Sequence, residues 1–233
     1  MVRAPIGATD MEAIRKAEPY TLLEYQSSEL RVFGVELRPL ETNGMPGILA
    51  GLRWVGQSGG FRDDLTFLVV NLPDQAGSRE IAQLAECARA EGLSTKLCAV
   101  VSPCAHHPAR TIASLQRHGI PVLLGGVGKK SRFSDMADQP LSGVVIDRAL
   151  LQQACGDPHA ASVLDAIVAL ASNLGLKSFA NECATQTEFN FALSAGVSYV
   201  SFGARAEAAT LPMTATVRLR NRDFGWRRPR RAS

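Results

Sequence analysis

The segment GIPVLLGGVGKKSRF, residues 119–133, decides the interpretation of this chain. An apolar run from Ile120 to Leu124 leads directly into two consecutive glycines, Gly125 and Gly126. Such a run bounded by glycine is typical of a buried strand that ends in a turn. A phosphate loop of the form G-x-x-x-x-G-K-[ST] does not fit, because Lys130 follows Gly128-Lys129 where a hydroxyl residue is needed. Two interpretations of this segment remain: a flexible turn after a strand, or the remnant of a different kind of site.

Length and composition predict one soluble domain. The chain has 233 residues, of which 46% are hydrophobic and 20% are charged, a size that suits an α/β barrel. A formal net charge of +3 is too small to indicate a nucleic-acid-binding protein. No apolar run approaches the roughly 18 residues that a membrane helix requires, and the first ten residues have no apolar core of a signal peptide. We therefore expect no membrane contact and a cytoplasmic location.

The five cysteines are scattered and form no CxxC pair. Free, buried thiols are the expected state, because cysteine packs as a small hydrophobic residue in reduced proteins. The cluster Cys104-Ala105-His106-His107 raises a metal site as the alternative. Adjacent residues on one loop rarely converge on one ion, and no second ligand pair completes a tetrahedral site. We expect the two histidines to precede a helix that begins at Pro108.

Short apolar runs alternate with helical stretches along the chain, which predicts an α/β fold with a mostly parallel sheet, a (β/α)8-type TIM-like barrel. The eight predicted strands cover residues 30–37, 47–54, 65–71, 97–101, 122–125, 143–147, 178–180 and 198–202. Asp157 with Pro158, the pair Thr185 and Glu188, and Asp147 supply helix start signals.

The two ends of the chain are predicted to lie outside the barrel proper. Residues 9–26 are predicted to form an extra N-terminal helix outside the barrel, within a lead-in of residues 1–28, and residues 214–219 an added strand. A single domain spans residues 1–217. The basic tail, residues 218–233, contains seven arginines and one aspartate, and we expect it to be disordered and solvated. An acidic partner or a nucleic acid is the alternative for this tail.

Six segments, in order, resemble the EAL domain family of cyclic-di-GMP phosphodiesterases and their inactive relatives. Residues 37–40 are similar to the family's Y-Q-P-I, residues 48–54 to G-x-E-A-L-L-R-W, and residues 69–72 to V-N-L-S. Residues 119–128 are similar to G-[VI]-x-[IL]-A-[LI]-D-D-F-G, residues 144–148 to L-K-I-D-R, and residues 174–185 to L-G-[LI]-x-[VT]-[IV]-A-E-G-V-E-T. The resemblance covers residues 14–211 and implies a barrel of the EAL kind. It favours the remnant of a metal site at Gly125-Gly126.

The resemblance also implies where the catalytic groups of the family fall. Family members use two Mg²⁺ or Mn²⁺ ions held by carboxylates. In this chain Asn71 keeps its family identity, whereas the carboxylates, the catalytic lysine and a late glutamine are replaced. The positions of this degenerate site are Leu49, Asn71, Val100, Gly125, Gly126, Val145, Asn181, Ala184 and Ser201. Val145 stands at the lysine position, and Glu182 is considered as a substitute for Asn181.

The resemblance therefore predicts a pseudo-enzyme with no metal cofactor and no catalytic residues. We expect a regulatory or scaffold protein in bacterial signalling that acts through a protein partner. The alternative is a metal-independent cyclic-di-GMP receptor that uses Arg53 and Asn71. An equally good interpretation of Arg53 is that it pairs with Asp147 in the barrel mouth. Asn71 is equally well explained as a residue that hydrogen-bonds the backbone at a strand end. A homodimer stays open, and binding of nucleic acid through the tail or residual phosphodiesterase activity is less favoured.

Overall fold

The computed structural model of this chain describes residues 17–26, 29–39, 44–57, 67–128 and 139–202. Eight strands form a closed barrel in chain order: β1 Ala17–Gln26, β2 Glu29–Pro39, β3 Phe67–Asn71, β4 Leu97–Val101, β5 Val122–Val127, β6 Gly143–Ile146, β7 Lys177–Cys183 and β8 Tyr199–Phe202. Six helices lie between them within the described residues: α1 Gly44–Gln57, α2 Ser78–Ala90, α3 Pro108–Arg117, α4 Arg148–Ala154, α5 Pro158–Asn173 and α6 Gln186–Ser194.

The barrel contains one reversed strand. β1 is antiparallel to both β2 and β8, and its pairing with β8 closes the barrel through Leu22 with Ser201 and Leu23 with Val200. The strands from β2 to β8 are parallel to their neighbours. The predicted TIM-like barrel is confirmed, and the parallel strands bring their carboxyl ends to one face of the barrel.

Two secondary-structure predictions are wrong. Residues 17–26, predicted as helix, form strand β1, where Pro19 and the tyrosines suit a strand better than a helix interior. Residues 47–54, predicted as strand, belong to helix α1. The buried residues Met45, Ile48, Leu52 and Val55 recur at intervals of three or four, which is the helical period.

The described ranges exclude several predicted features. Residues 1–16, the loop with Lys129 and Lys130, the strand at residues 214–219 and the basic tail lie outside them. Within the described ranges, no helix has the length and apolar character needed to cross a membrane. The division into a domain of residues 1–217 and a tail stays a prediction.

The predicted helix starts agree with the structure. Asp147 Oδ1 accepts a hydrogen bond from Ala149 N, and Asp157 Oδ1 accepts one from His159 N, each at 2.9 Å. Thr185 Oγ1 accepts from the backbone N of Glu188 at 3.1 Å, while the Glu188 carboxylate accepts from Ala184 N. These caps satisfy amide groups that the first helical turn leaves without partners.

The interior of the barrel is filled by side chains from alternate strand positions, as the pleat of a strand requires. The apolar residues of this cluster are Phe67, Val69, Cys98, Val100, Leu123, Val145, Phe179 and Tyr199. Three aromatic rings, those of Phe67, Phe179 and Tyr199, pack with centroid distances of 4.8–6.0 Å. The next inward positions along three of these strands are Asn71, Gly125 and Asn181, so the polarity changes where the strands end.

Candidate functional site

A pocket of about 290 Å³ opens at the carboxyl ends of the parallel strands. Its described lining comes from the ends of β3 to β7 and the residues that follow them: Asn71, Leu72, Val100, Ser102, Pro103, Gly125, Gly126, Val145, Ile146, Asp147, Arg148, Asn181 and Glu182. Barrel enzymes carry their reacting groups at this end. The pocket is therefore the candidate functional site.

A buried carboxylate lies beneath this pocket. Glu36 on β2 has an exposed fraction of 0%, and its Oε1 accepts hydrogen bonds from Asn181 Nδ2 at 3.0 Å and from Asn71 Nδ2 at 2.5 Å. Each asparagine thus contacts Glu36 through its amide nitrogen, which is a donor, and not through its amide oxygen, which is an acceptor. Asn181 Oδ1 is buried and has no hydrogen-bond partner among the described residues.

Glu182 brings a second carboxylate to the pocket wall. The register of β7 against β8 shifts between Ala180 and Cys183, and Glu182 adopts a φ of 61°, a left-handed conformation that is unfavourable for residues other than glycine. Its backbone N donates to Ser201 Oγ at 3.1 Å, which supports this bulge. Its carboxylate forms a long ion pair with Arg148, with 3.8 Å between Oε2 and the guanidinium nitrogen.

The charged side chains of the described lining are Asp147, Arg148 and Glu182, which together carry a net charge of −1. Asp147 already accepts from the first turn of α4. The buried Glu36 adds a further carboxylate below them. The pocket is thus rich in oxygen acceptors and has a single cationic group in its described lining.

The other predicted site positions on this wall have apolar side chains or none. Val100, Gly125, Gly126 and Val145 all line the pocket. A Cβ atom built on Gly125 is 3.0 Å from Val100 Cγ1, so Val100 fills part of the space that a side chain at residue 125 needs. This part of the described pocket wall is therefore packed by apolar atoms.

Leu49 and Arg53 lie elsewhere. Both belong to helix α1 on the outside of the barrel, where the backbone oxygen of Leu49 faces Cys87 Sγ of α2 at 3.8 Å. Arg53 is exposed, and neither residue is part of the described pocket lining. The predicted strand at residues 47–54 is wrong, and because these residues form helix α1, neither Leu49 nor Arg53 is placed in the described barrel mouth.

The remaining predicted positions are close to the pocket without lining it. Ser201 is buried in β8 and acts through its hydrogen bond to the backbone of Glu182. Ala184 is half-buried and donates its backbone N to Glu188 at 2.7 Å. Trp54 packs against the core between the barrel and its helices, as expected for a large aromatic residue.

Sequence reasoning missed Glu36 and Arg148 as pocket groups, and it placed Glu182 only as a substitute for Asn181. Glu36 carried a usable signal: Gly34-Val35-Glu36 has the G-x-E spacing of the motif that was assigned to residues 48–54. Residues 48–54 match the same motif through Leu52-Arg53-Trp54 at its end. Only the pairing of β2 with β3 brings Glu36 beside Asn71.

Comparison with known proteins identifies the family of this chain. The sequence model described as EAL domain matches residues 40–201. The chain belongs to the EAL domain family. No curated protein matches its sequence significantly.

Solved structures share the fold of this EAL domain at low sequence identity. The structure described as PaMucR phosphodiesterase in a c-di-GMP complex has 17% identity and a TM-score of 0.65, covering 83% of this chain and 93% of its own. The EAL domain of Mycobacterium smegmatis DcpA has 17% identity and a TM-score of 0.66, with 79% and 87% covered. A standalone EAL protein from Vibrio cholerae O395 in its c-di-GMP-bound form has 16% identity and a TM-score of 0.63, with 79% and 88% covered.

The donors in the described part of the pocket do not fit a two-metal centre. Mg²⁺ and Mn²⁺ need several oxygen ligands, mostly anionic. The Glu36 oxygen here accepts two amide N–H groups, and Gly125, Gly126, Val100 and Val145 offer no side-chain oxygen. Among the described residues, no three His, Cys, Asp or Glu side chains lie together in a way that could hold a metal ion.

The thiols of the EAL domain are free in the described ranges, and two of the five are buried. Burial inside the barrel raises the pKa of the Cys98 thiol, and the negative charge of Glu36 raises it further. Burial likewise raises the pKa of Cys183 to about 12, with Glu188 as a smaller cause. Cys104 is exposed, contrary to the expectation of buried thiols, and His106 and His107 precede helix α3 as expected.

Proposed function

We propose that this chain is a non-hydrolysing EAL-domain protein that needs no metal and acts in bacterial signalling by binding a protein partner. One observation carries the proposal. Where the family resemblance implies two aspartates, a glutamate and a lysine, the pocket wall has Gly125, Gly126, Val100 and Val145. None of these side chains binds a cation or transfers a proton.

The expected loss of rate is large. Removing a single positioned acid, base or charged group commonly costs about a hundredfold or more in rate. Glu36 and Asn71 remain, but they bind each other, and a hydrogen-bonded amide nitrogen is not a metal ligand. Four missing groups thus favour binding without hydrolysis.

Hydrolysis is tested directly by incubating the purified chain, at high enzyme concentration, with cyclic di-GMP and either Mg²⁺ or Mn²⁺. We expect chromatography to show no linear pGpG above a blank without protein. The Glu36→Gln variant, purified in parallel, separates true activity from a contaminating enzyme. Product that forms with the wild type and disappears with Glu36→Gln would overturn the proposal.

The second candidate is a metal-independent receptor for cyclic di-GMP. It is supported by the preserved pocket with Asn71 and Arg148, and by similar folds whose descriptions name this ligand. Calorimetry with cyclic di-GMP in Mg²⁺ and then in EDTA distinguishes the candidates. Heat that persists in EDTA, is lost in Arg148→Ala and is retained in Arg53→Ala on the outer helix favours the receptor. No heat in either buffer favours the protein partner.

The other predicted partners have equally direct tests. Light scattering over a concentration series measures whether the chain forms a homodimer. Binding of nucleic acid is expected to weaken steeply with salt and to vanish when residues 218–233 are removed. Binding that survives removal of the tail excludes the tail as the nucleic-acid site.

A further inference from the structure

Oxygen acceptors converge on the pocket. Asn181 has an exposed fraction of 5%, lines the pocket and has an Oδ1 that no described residue contacts by a hydrogen bond. Its nitrogen is held by Glu36, so the amide cannot turn without setting its oxygen against the Glu36 oxygen. A buried acceptor in this state is stabilised by a ligand that donates a hydrogen bond.

Glu182 adds charge to this acceptor set. Its carboxylate lines the pocket on a residue with a left-handed backbone, an unfavourable conformation that tends to occur at functional sites. With Asp147 on the same lining and Glu36 below, the charge of this wall favours a cationic ligand over an anionic one.

We propose that the pocket binds the guanidinium or ammonium group of an alkyl cation, with Asn181 Oδ1 and the Glu182 carboxylate as its acceptors. The inference rests on the proposed non-hydrolysing function and specifies the ligand chemistry of that site. A cationic side chain of a protein partner and a free alkyl cation both have this chemistry.

Arg148 occupies part of this site in the free protein. Its guanidinium is 3.8 Å from Glu182 Oε2, a distance too long for a hydrogen bond, and its side chain is 46% exposed. An incoming cation therefore displaces a weakly held one. Removing Arg148 is expected to strengthen binding, which a purely structural role of that residue does not predict.

The probe is N-acetyl-arginine amide, and N-acetyl-citrulline amide is its uncharged control of nearly the same shape. NMR or calorimetric titration is expected to show binding of the arginine probe, with the citrulline probe at least tenfold weaker, about the effect of losing one charge-assisted hydrogen bond. Glu182→Gln should weaken the arginine probe by about tenfold, and Arg148→Ala should tighten it severalfold. Arg53→Ala, on the outer face of α1, is the matched control for loss of an arginine and should leave binding unchanged.

Two further titrations identify the source of the cation. Agmatine represents a free alkyl cation, and an acetylated, amidated Ala-Arg-Ala peptide represents a protein side chain. Preference for the peptide indicates a partner protein, whereas preference for agmatine indicates a small molecule. The inference would be overturned if the protein bound the arginine and citrulline probes with equal affinity. It would also be overturned if Glu182→Gln left the affinity for the arginine probe unchanged.

The hydrolysis assay is run on the same preparations. Formation of pGpG would contradict the proposed function, whether or not the protein binds the arginine probe. Absence of both pGpG and arginine binding leaves the non-hydrolysing protein intact and removes only the cation site.

Discussion

Replacing Glu36 and Asn181, singly and together, tests whether the buried carboxylate holds the pocket in place. Hydrogen bonds to a charged group stabilise a fold by about 1.5–3 kcal/mol each, so the two bonds to Glu36 Oε1 sum to about 3–6 kcal/mol. The Glu36→Ala variant also removes the free-energy cost of burying a carboxylate, and this gain in stability offsets part of the loss. The free energy of unfolding of one variant therefore mixes opposing effects, and the double-mutant cycle isolates the bond.

We expect a coupling energy of about 1.5–3 kcal/mol between Glu36→Ala and Asn181→Ala. The coupling with Asn71→Ala should be smaller, because Asn71 is half-buried and water can replace its lost partner. Urea unfolding followed by circular dichroism at 222 nm measures each variant, with the m-value checked for constancy.

A cycle between Glu36→Ala and Asp157→Ala serves as control. Asp157 caps α5 by accepting from His159 N, whereas Glu36 accepts from Asn71 and Asn181 inside the barrel, so these changes should add within about 0.5 kcal/mol. Additivity of the Glu36 and Asn181 variants within the same margin would refute the assignment of Glu36 as the group that orients the pocket amides.

Three further predictions concern stability and reactivity. Asp157→Ala should destabilise by about 1 kcal/mol in urea unfolding through loss of the cap at His159 N, whereas Asp157→Ser should recover most of it. Gly143→Ala should destabilise by about 1–3 kcal/mol, since the new Cβ is 2.5 Å from the Lys177 backbone oxygen, while Gly156→Ala, with nothing within 4 Å, should change stability little. Native thiol titration should label Cys104 quickly and leave Cys98 and Cys183 protected, because the latter two thiols are buried. Because burial raises the pKa of Cys183 in the folded protein to about 12, the free energy of unfolding should fall as the pH rises from about 9 towards 12. This fall should be smaller in Cys183→Ala. Rapid native labelling of all five thiols, or a flat stability curve above pH 9, would contradict the burial.

The wall of the pocket was predictable because its strands have strong local signals. Apolar runs bounded by glycine and polar residues placed β3 to β8 closely, and family motifs aligned Asn71, Val100, Gly125, Val145 and Asn181 with the strand ends that the structure brings together. Side chains at the ends of neighbouring parallel strands meet because those strands share one direction.

The first two strands and helix α1 were harder to predict. The hydrophobic period of residues 44–57 is helical, whereas the motif resemblance of residues 48–54 predicts a strand with the family's glutamate position at Leu49. Local periodicity would have corrected that error, and would also have directed attention to Gly34-Val35-Glu36.

From the sequence alone, the class of fold, the family resemblance, the helix caps and the pair Gly125-Gly126 at the end of a strand followed, because each depends on residues close together in the chain. Tertiary structure alone decided the rest. Glu36 and Asn181 are 145 residues apart and meet only because the barrel closes. Likewise, the left-handed backbone of Glu182 depends on the register of β7 against β8, and strand register is set by pairing between distant segments.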